Sequence, residues 1–348
     1  MRVNGGYKCR LATYGTFSVF SYTEAFISRI GFKTHGRSSP FRLDKTFTAD
    51  LLIIHWLLDL SGMDSMVQLR EQSFKKQKSL PKVDYHCHIS ITEYTDSANP
   101  TIISVSVEEC LADLDEAGID MAVVLSDRRT TPEQVAAFVK QAPERLIGFG
   151  YVNPLLRDSA KELRRQREKL GLFGLKLYPC SDGYSPDNPN AFHVYEVAEE
   201  LGIPVLLHHA GIPEPHDLLY NTDPAQIDVV AGLFPKMKII LAHLGYPRVD
   251  ETLYVCRKHR NVWCDISWPY GNINHPSYLW LLWRDMLTAL NLGVINKMVF
   301  GTDYPGIRQK PYLDMLLSIN KYAPHRDLQI PSEKLWAMLD ENVQPLLS

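Results

Sequence analysis

Histidine and aspartate recur in this chain at spacings that suit metal chemistry. Residues 84–88 read Asp-Tyr-His-Cys-His. Side chains alternate between faces in an extended strand, so His86 and His88 point the same way, about 6.6 Å apart at Cα, and Cys87 faces the opposite side. Two imidazoles on one face can share a divalent cation, each about 2.0–2.1 Å from a zinc ion. Three more apolar runs end in similar residues: Pro-Val-Leu-Leu in His208 and His209, Ile-Ile-Leu-Ala in His243, and Val-Phe-Gly-Thr in Asp303. Alone, a strand histidine is more often a hydrogen-bonded core residue, and an aspartate after Gly-Thr a turn or cap. Together, at the ends of four separate strands, they read as one site. His209 points away from the face of His208 and is set aside as a packing or supporting residue.

The elements that would position these residues follow a rhythm. Short apolar runs begin at Val83, Met121, Leu146, Phe173, Pro204, Lys238, Val262 and Lys297. Amphipathic stretches at 107–119, 132–142, 158–170, 191–201 and 223–234 lie between them, often opened by a capping residue. From His86 to Asp303 the seven steps average about 31 residues, close to the roughly 30 of one βαβ unit. The expected fold is an α/β (β/α)₈ TIM barrel over residues 81–348, with residues 1–80 as an N-terminal extension of unknown role. The barrel's length is near the roughly 250 residues typical of that fold. A doubly wound sheet would usually carry a glycine-rich phosphate loop after its first strand, and Val-Asp-Tyr-His-Cys-His-Ile-Ser has no glycine. Barrel enzymes place their chemistry at the C-terminal strand ends, where the histidines and Asp303 fall.

Composition narrows the partners. The 348 residues are 45% hydrophobic and 22% charged, with 37 basic against 40 acidic residues and a formal net charge of −3. Such a chain can bury a core, and it lacks the basic field expected of a nucleic-acid or anionic-membrane binder. The expected partner is a small molecule, with a homo-oligomer compatible. The six cysteines form no Cys-x-x-Cys pair, so neither a disulfide framework nor a thiolate zinc site is implied, and a reducing cytoplasmic setting fits. No apolar run approaches the roughly 20 residues of a membrane span. Residues 1–48 are basic and show no sustained periodicity; a targeting extension, an ordered arm and an upstream translation replaced by a start at Met63 or Met66 are alternative readings. Residues 64–82 read as a linker or lead-in helix.

The Asp-x-His-x-His, the histidine closing the fifth strand, the Ala-His-Leu-Gly of the sixth and the Gly-Thr-Asp-Tyr-Pro of the eighth resemble the amidohydrolase superfamily, and more narrowly the amidohydrolase-related family of metal-dependent hydrolases and decarboxylases. The resemblance runs from Lys82 to the end, including a closing helix at Glu-Lys-Leu-Trp-Ala-Met-Leu-Asp. It implies His86, His88, His208 and Asp303 as metal ligands, and His243 as an acid/base or polarising residue or a ligand of a second metal. The implied cofactor is a divalent metal, zinc first among the candidates, as one ion rather than two. Such an ion lowers the pKa of bound water from 15.7 to about 7, and Asp303 is then placed to take its proton.

Lys176 ends the fourth strand, where two-metal members of the superfamily carry a bridging lysine; beside Tyr178 it could equally hold a substrate anion. Arg128, Arg129, Arg248 and Arg308 follow strands two, six and eight, and inward-facing members of this set would clamp a carboxylate or phosphate. The segment 180–191 is expected to cover the mouth, and Trp268, Tyr270 and His275 to wall it. The leading reading is a hydrolase of a small, anionic, carbonyl-containing lactone, amide or ester. Non-oxidative decarboxylation of an unsaturated or aromatic acid is the enzyme alternative, and a catalytically silent binding barrel the non-enzyme one.

Overall fold

A computed structural model describes residues 80–93, 101–212 and 217–348. The readings made for the N-terminal extension lie outside these residues. Ten strands are described: β1 Val83–Cys87, β2 Ser90–Glu93, β3 Thr101–Ser104, β4 Met121–Leu125, β5 Leu146–Tyr151, β6 Gly174–Leu177, β7 Val205–Leu207, β8 Ile239–Leu241, β9 Val262–Asp265 and β10 Met298–Val299. Eight of them, β1 and β4 to β10, form one parallel sheet in sequence order. The sheet closes on itself: Tyr85 N–H donates to Phe300 O at 2.9 Å and Asp303 N–H to His86 O at 2.8 Å. The fold is the expected (β/α)₈ barrel. The antiparallel β2–β3 pair, inserted after the first barrel strand, was not expected.

Parallel strands covered on both faces need apolar residues at nearly every position. Val205, Leu206 and Leu207 are all buried, as are Ile239, Ile240 and Leu241. Alternation then divides them. Leu206 and Ile240 join Tyr85, Val123, Phe149 and Val299 in an interior cluster plugged by Val343 and Leu346. Val205, Leu207, Ile239 and Leu241 pack outward against the helices.

The helices begin where local chemistry allows. Helix Val107–Ala117 has a reciprocal Ser106–Glu109 capping box and ends at Gly118, φ 65°, a conformation that costs a glycine nothing sterically. Helix Pro132–Val139 is capped by Thr131 and Gln134 with proline in its first turn. Among the described residues no helix is long and apolar enough to cross a membrane.

One irregularity decides which way the first strand faces. Val83 and Tyr85 point into the interior cluster, so strict alternation would turn His86 outward. Between Asp84 and Cys87, however, the register against β4 slips: Asp84 pairs with Ala122 and Cys87 with Val124. Three steps on one strand oppose two on the other, which is a β-bulge. The extra residue brings His86 and His88 to the mouth while Cys87 packs in the outer core.

Candidate metal centre

The strand ends bring five predicted residues to one cleft of about 1300 Å³: His86, His88, His208, His243 and Asp303 all line it. His86 Nε2 lies 3.4 Å and His88 Nε2 3.3 Å from Asp303 Oδ1. One ligand atom from each of these three residues lies within 4.8 Å of the others, close enough to hold one ion. His243 Nε2 lies 3.1 Å from His208 Nδ1. The outer nitrogen of His208, Nε2, is buried without a hydrogen-bond partner.

Each side chain is delivered by local backbone. Asp303 adopts φ 64°, a left-handed conformation that aspartate tolerates better than most residues. Its N–H donates to His86 O, which ties the last strand end to the first. Asp84 reinforces the same seam. Its carboxylate accepts from Thr302 N–H at 3.0 Å, Thr302 Oγ–H at 2.6 Å and His86 N–H at 3.2 Å. Burial pushes the Asp84 carboxyl up to about 6 against those hydrogen bonds. Gly301 is required by space, since a Cβ there would sit 2.8 Å from His86 Cβ. His243, Leu244 and Gly245 all have positive φ, 59°, 53° and 67°, so the chain turns sharply as it leaves β8.

Electrostatics favour neutral rings around an anionic carboxylate. Burial pushes the His86 pKa well down, helped by nearby Lys176. Burial and the neighbouring His243 do the same to His208, and burial lowers His243. Burial works to raise the Asp303 carboxyl, but the influences led by the hydrogen bond from His88 outweigh it and hold it below the usual range. Neutral imidazole and ionised carboxylate are the forms that bind a metal.

A test of fit comes from the far side of His86. Its Nδ1 lies 2.8 Å from Asp265 Oδ2; a carboxylate accepts, so Nδ1 carries the ring proton and Nε2 is bare. Bare Nε2 then faces anionic Asp303 Oδ1, two lone-pair atoms with no ring proton between them, and Lys176 Nζ, 3.4 Å from Nε2, is the protein cation nearest to that nitrogen. A divalent cation answers that arrangement; His208, whose Nε2 is buried and unpartnered, lines the same cleft but is not among the three residues whose ligand atoms lie within 4.8 Å of one another. The donor set, imidazole nitrogens with a carboxylate, suits a first-row metal better than calcium.

Asp265 and Ser267 were missed in the sequence. Asp265 is fully buried and touches His86, the His243 backbone and Ser267. Its only signal was a carboxylate closing the seventh strand.

Lys176 is fully buried, its Nζ 3.4 Å from His86 Nε2 and 5.1 Å from the Tyr178 ring centre. Burial pushes its pKa down to about 8. Tyr178 stacks on His208 with centroids 5.8 Å apart. Arg128 lines the cleft, with Nη1 donating to Ser181 O at 3.0 Å, and Arg129 lines it too. Arg248 and Arg308 are not among the lining residues: Arg248 pairs with Asp223, and Arg308 with Asp113 and Glu116. Their guanidinium groups are engaged on the barrel's own carboxylates. Trp268 walls the cleft, but Tyr270 is buried against Tyr246 and Tyr278, and its place at the wall is taken by Tyr246. Segment 180–191 reaches the cleft only through Ser181, because part of it folds into the short helix Pro179–Asp182 and a 3₁₀ turn at Pro189–Ala191.

Comparison with known proteins agrees with the barrel fold. A curated relative, 2-amino-3-carboxymuconate-6-semialdehyde decarboxylase of Dictyostelium discoideum, is 27% identical over 211 residues, 54% of this chain and 57% of the relative. The chain thus matches little more than half of that relative's length. Among solved structures, an uncharacterised TIM-barrel protein of Bordetella bronchiseptica matches with TM-score 0.57 at 24% identity, over 70% of this chain and 82% of its own. A probable 2-pyrone-4,6-dicarboxylic acid hydrolase of Acinetobacter baumannii matches with TM-score 0.57 at 17% identity, over 77% of this chain and 99% of its own. The family model described as Amidohydrolase matches residues 83–343, and with that match over most of its length the chain belongs to the amidohydrolase family.

Proposed function

We propose that the protein is a divalent-metal-dependent hydrolase of a small carbonyl compound that carries a carboxylate. The observation that carries this reading is the convergence of His86, His88 and Asp303, with the unpartnered His208 Nε2, at a cleft whose rim holds Arg128. His86, His88, His208 and Asp303 would hold the ion. When bound, it supplies Lewis acidity toward a carbonyl oxygen and acidifies water at neutral pH.

The remaining work falls to the chain. The Asp303 carboxylate accepts the proton of the attacking water and returns it to the leaving group. Arg128, steadied by Ser181 O, presents a guanidinium to the substrate carboxylate. Tyr178, stacked on His208, and Trp268 wall the cleft and exclude bulk water from one face of the substrate. His243 Nε2 is occupied by His208 Nδ1, so we assign His243 to positioning that ligand rather than to proton transfer.

Decarboxylation of an unsaturated acid is the second reading, favoured by the name of the Dictyostelium relative. The substrates named for the Dictyostelium and Acinetobacter proteins are unsaturated acids bearing carboxyl groups, which agrees with an arginine at the rim. Metal-loaded protein incubated with a panel of carboxylated lactones, amides and unsaturated acids in ¹⁸O-water separates the two. Hydrolysis puts ¹⁸O into the organic product and releases no carbon dioxide. Carbon dioxide release with no ¹⁸O uptake into the organic product rejects it in favour of decarboxylation.

A further inference from the structure

The site histidines sit on a hydrogen-bond network whose acceptors fix where the ring protons are. Asp265 Oδ1 accepts from His243 N–H at 2.9 Å, Ser267 N–H at 3.0 Å and the Ser267 hydroxyl. Asp265 Oδ2 faces His86 Nδ1. With its proton committed to Asp265, the Ser267 oxygen lies 2.9 Å from His86 Nδ1 and 3.0 Å from His243 Nδ1. It can only accept there. Ser267 O, a carbonyl, lies 2.7 Å from His243 Nδ1 and also can only accept. Both Nδ1 atoms must therefore carry hydrogen.

The consequence passes along the rings. A neutral His243 protonated at Nδ1 is bare at Nε2, which faces His208 Nδ1 at 3.1 Å. His208 Nδ1 must then donate, leaving the unpartnered His208 Nε2 bare. The geometry points to Asp265 and Ser267 as positioning residues that fix the tautomers of His86, His243 and, through it, His208, so that two imidazoles present bare Nε2 atoms for one ion. Asp265 also holds the His243 backbone in its left-handed conformation, so one carboxylate sets both the proton and the path of the chain. This inference rests on the metal reading for its purpose and on the hydrogen bonds alone for its content.

Asp265→Asn is the discriminating change because an amide has one acceptor atom. Its oxygen must stay toward the three donors at the Oδ1 position, so its NH₂ group faces His86 Nδ1. That nitrogen must now accept, and the ring proton moves to Nε2, where it blocks a ligand position. Removing the supporting partner of a metal-binding histidine typically costs about 10–100-fold in affinity.

The test uses the metal-stripped, full-length chain with ¹⁵N-labelled histidine. Two-bond ¹H–¹⁵N correlations show which ring nitrogen is protonated, with assignments from His86→Gln, His208→Gln and His243→Gln spectra. Wild type is expected to show Nδ1–H on His86, His208 and His243. D265N is expected to switch His86 alone to Nε2–H and to bind Zn²⁺ about 10–100-fold more weakly in competition with a chromophoric chelator. If D265N does not fold, the wild-type spectrum decides by itself. Nε2–H on His86 or His208 in wild type, or D265N affinity within about threefold of wild type, overturns the inference. Wild type that shows all three Nδ1–H signals yet binds no Zn²⁺ supports the relay and removes the metal reading instead.

Discussion

Asp303 is the residue on which the two halves of the site meet. It comes from the last barrel strand, yet its N–H bonds to His86 O and its Oδ1 lies within 3.4 Å of both histidines of the first. Lys176 is the ambiguous neighbour, buried at 3.4 Å from His86 Nε2. If the site holds one ion, Lys176→Ala keeps one equivalent of metal, whereas His208→Ala loses affinity by more than the about 10–100-fold that a supporting partner is worth. Metal analysis of the dialysed proteins checks this; two equivalents in wild type, one lost with Lys176→Ala, would favour a lysine-bridged pair. His86, His88 and Asp303 were legible in the sequence because their spacing and strand-end position are local features. Asp265 was not, because its role depends on donors from residues 86, 243 and 267 that only the closed barrel assembles. Arg308 misled for the same reason. Its partners Asp113 and Glu116 lie nearly two hundred residues earlier, and nothing near position 308 announces them.

At the scale of elements, the strand rhythm was readable because parallel strands buried on both faces appear as unbroken apolar runs. The β-bulge between Asp84 and Cys87 was not, because a register slip is a property of two strands. The same seam explains the glycine of Gly-Thr-Asp. A methyl group at position 301 would press on the His86 Cβ at 2.8 Å, so Gly301→Ala must move either β1 or the segment carrying Asp303. Overpacking of this kind costs about 1–3 kcal/mol, and here the displacement falls on two proposed ligands. Gly301→Ala is therefore expected to weaken Zn²⁺ binding as well as lower stability in urea. Ser106→Ala provides the contrast. It removes the cap of helix Val107–Ala117 and is expected to cost about 0.5–2 kcal/mol with metal affinity unchanged. If the two variants lose stability alike and neither loses metal affinity, Gly301 serves only the packing of the barrel.

Over the whole molecule, the proposed ligands come from three widely separated stretches of chain, 86–88, 208 and 303, and only the closed barrel brings them together. An ion they share binds the folded protein and finds no comparable site in the unfolded one, so binding is coupled to folding. At a free metal concentration one hundred times Kd this linkage is worth about 2.7 kcal/mol, which for a domain of this size raises Tm on the order of 5 °C. The same addition should leave Tm unchanged in the His86→Ala/His208→Ala double variant, since the remaining His88 and Asp303 offer too few donors to discriminate between folded and unfolded chain. Differential scanning calorimetry with and without Zn²⁺ measures both. A wild-type Tm that does not move while the metal is in excess would mean that the strand ends approach one another without closing on an ion. In that event the cleft and its Arg128 would still be a binding site, and the chemistry assigned to Asp303 would have no water of lowered pKa to act upon.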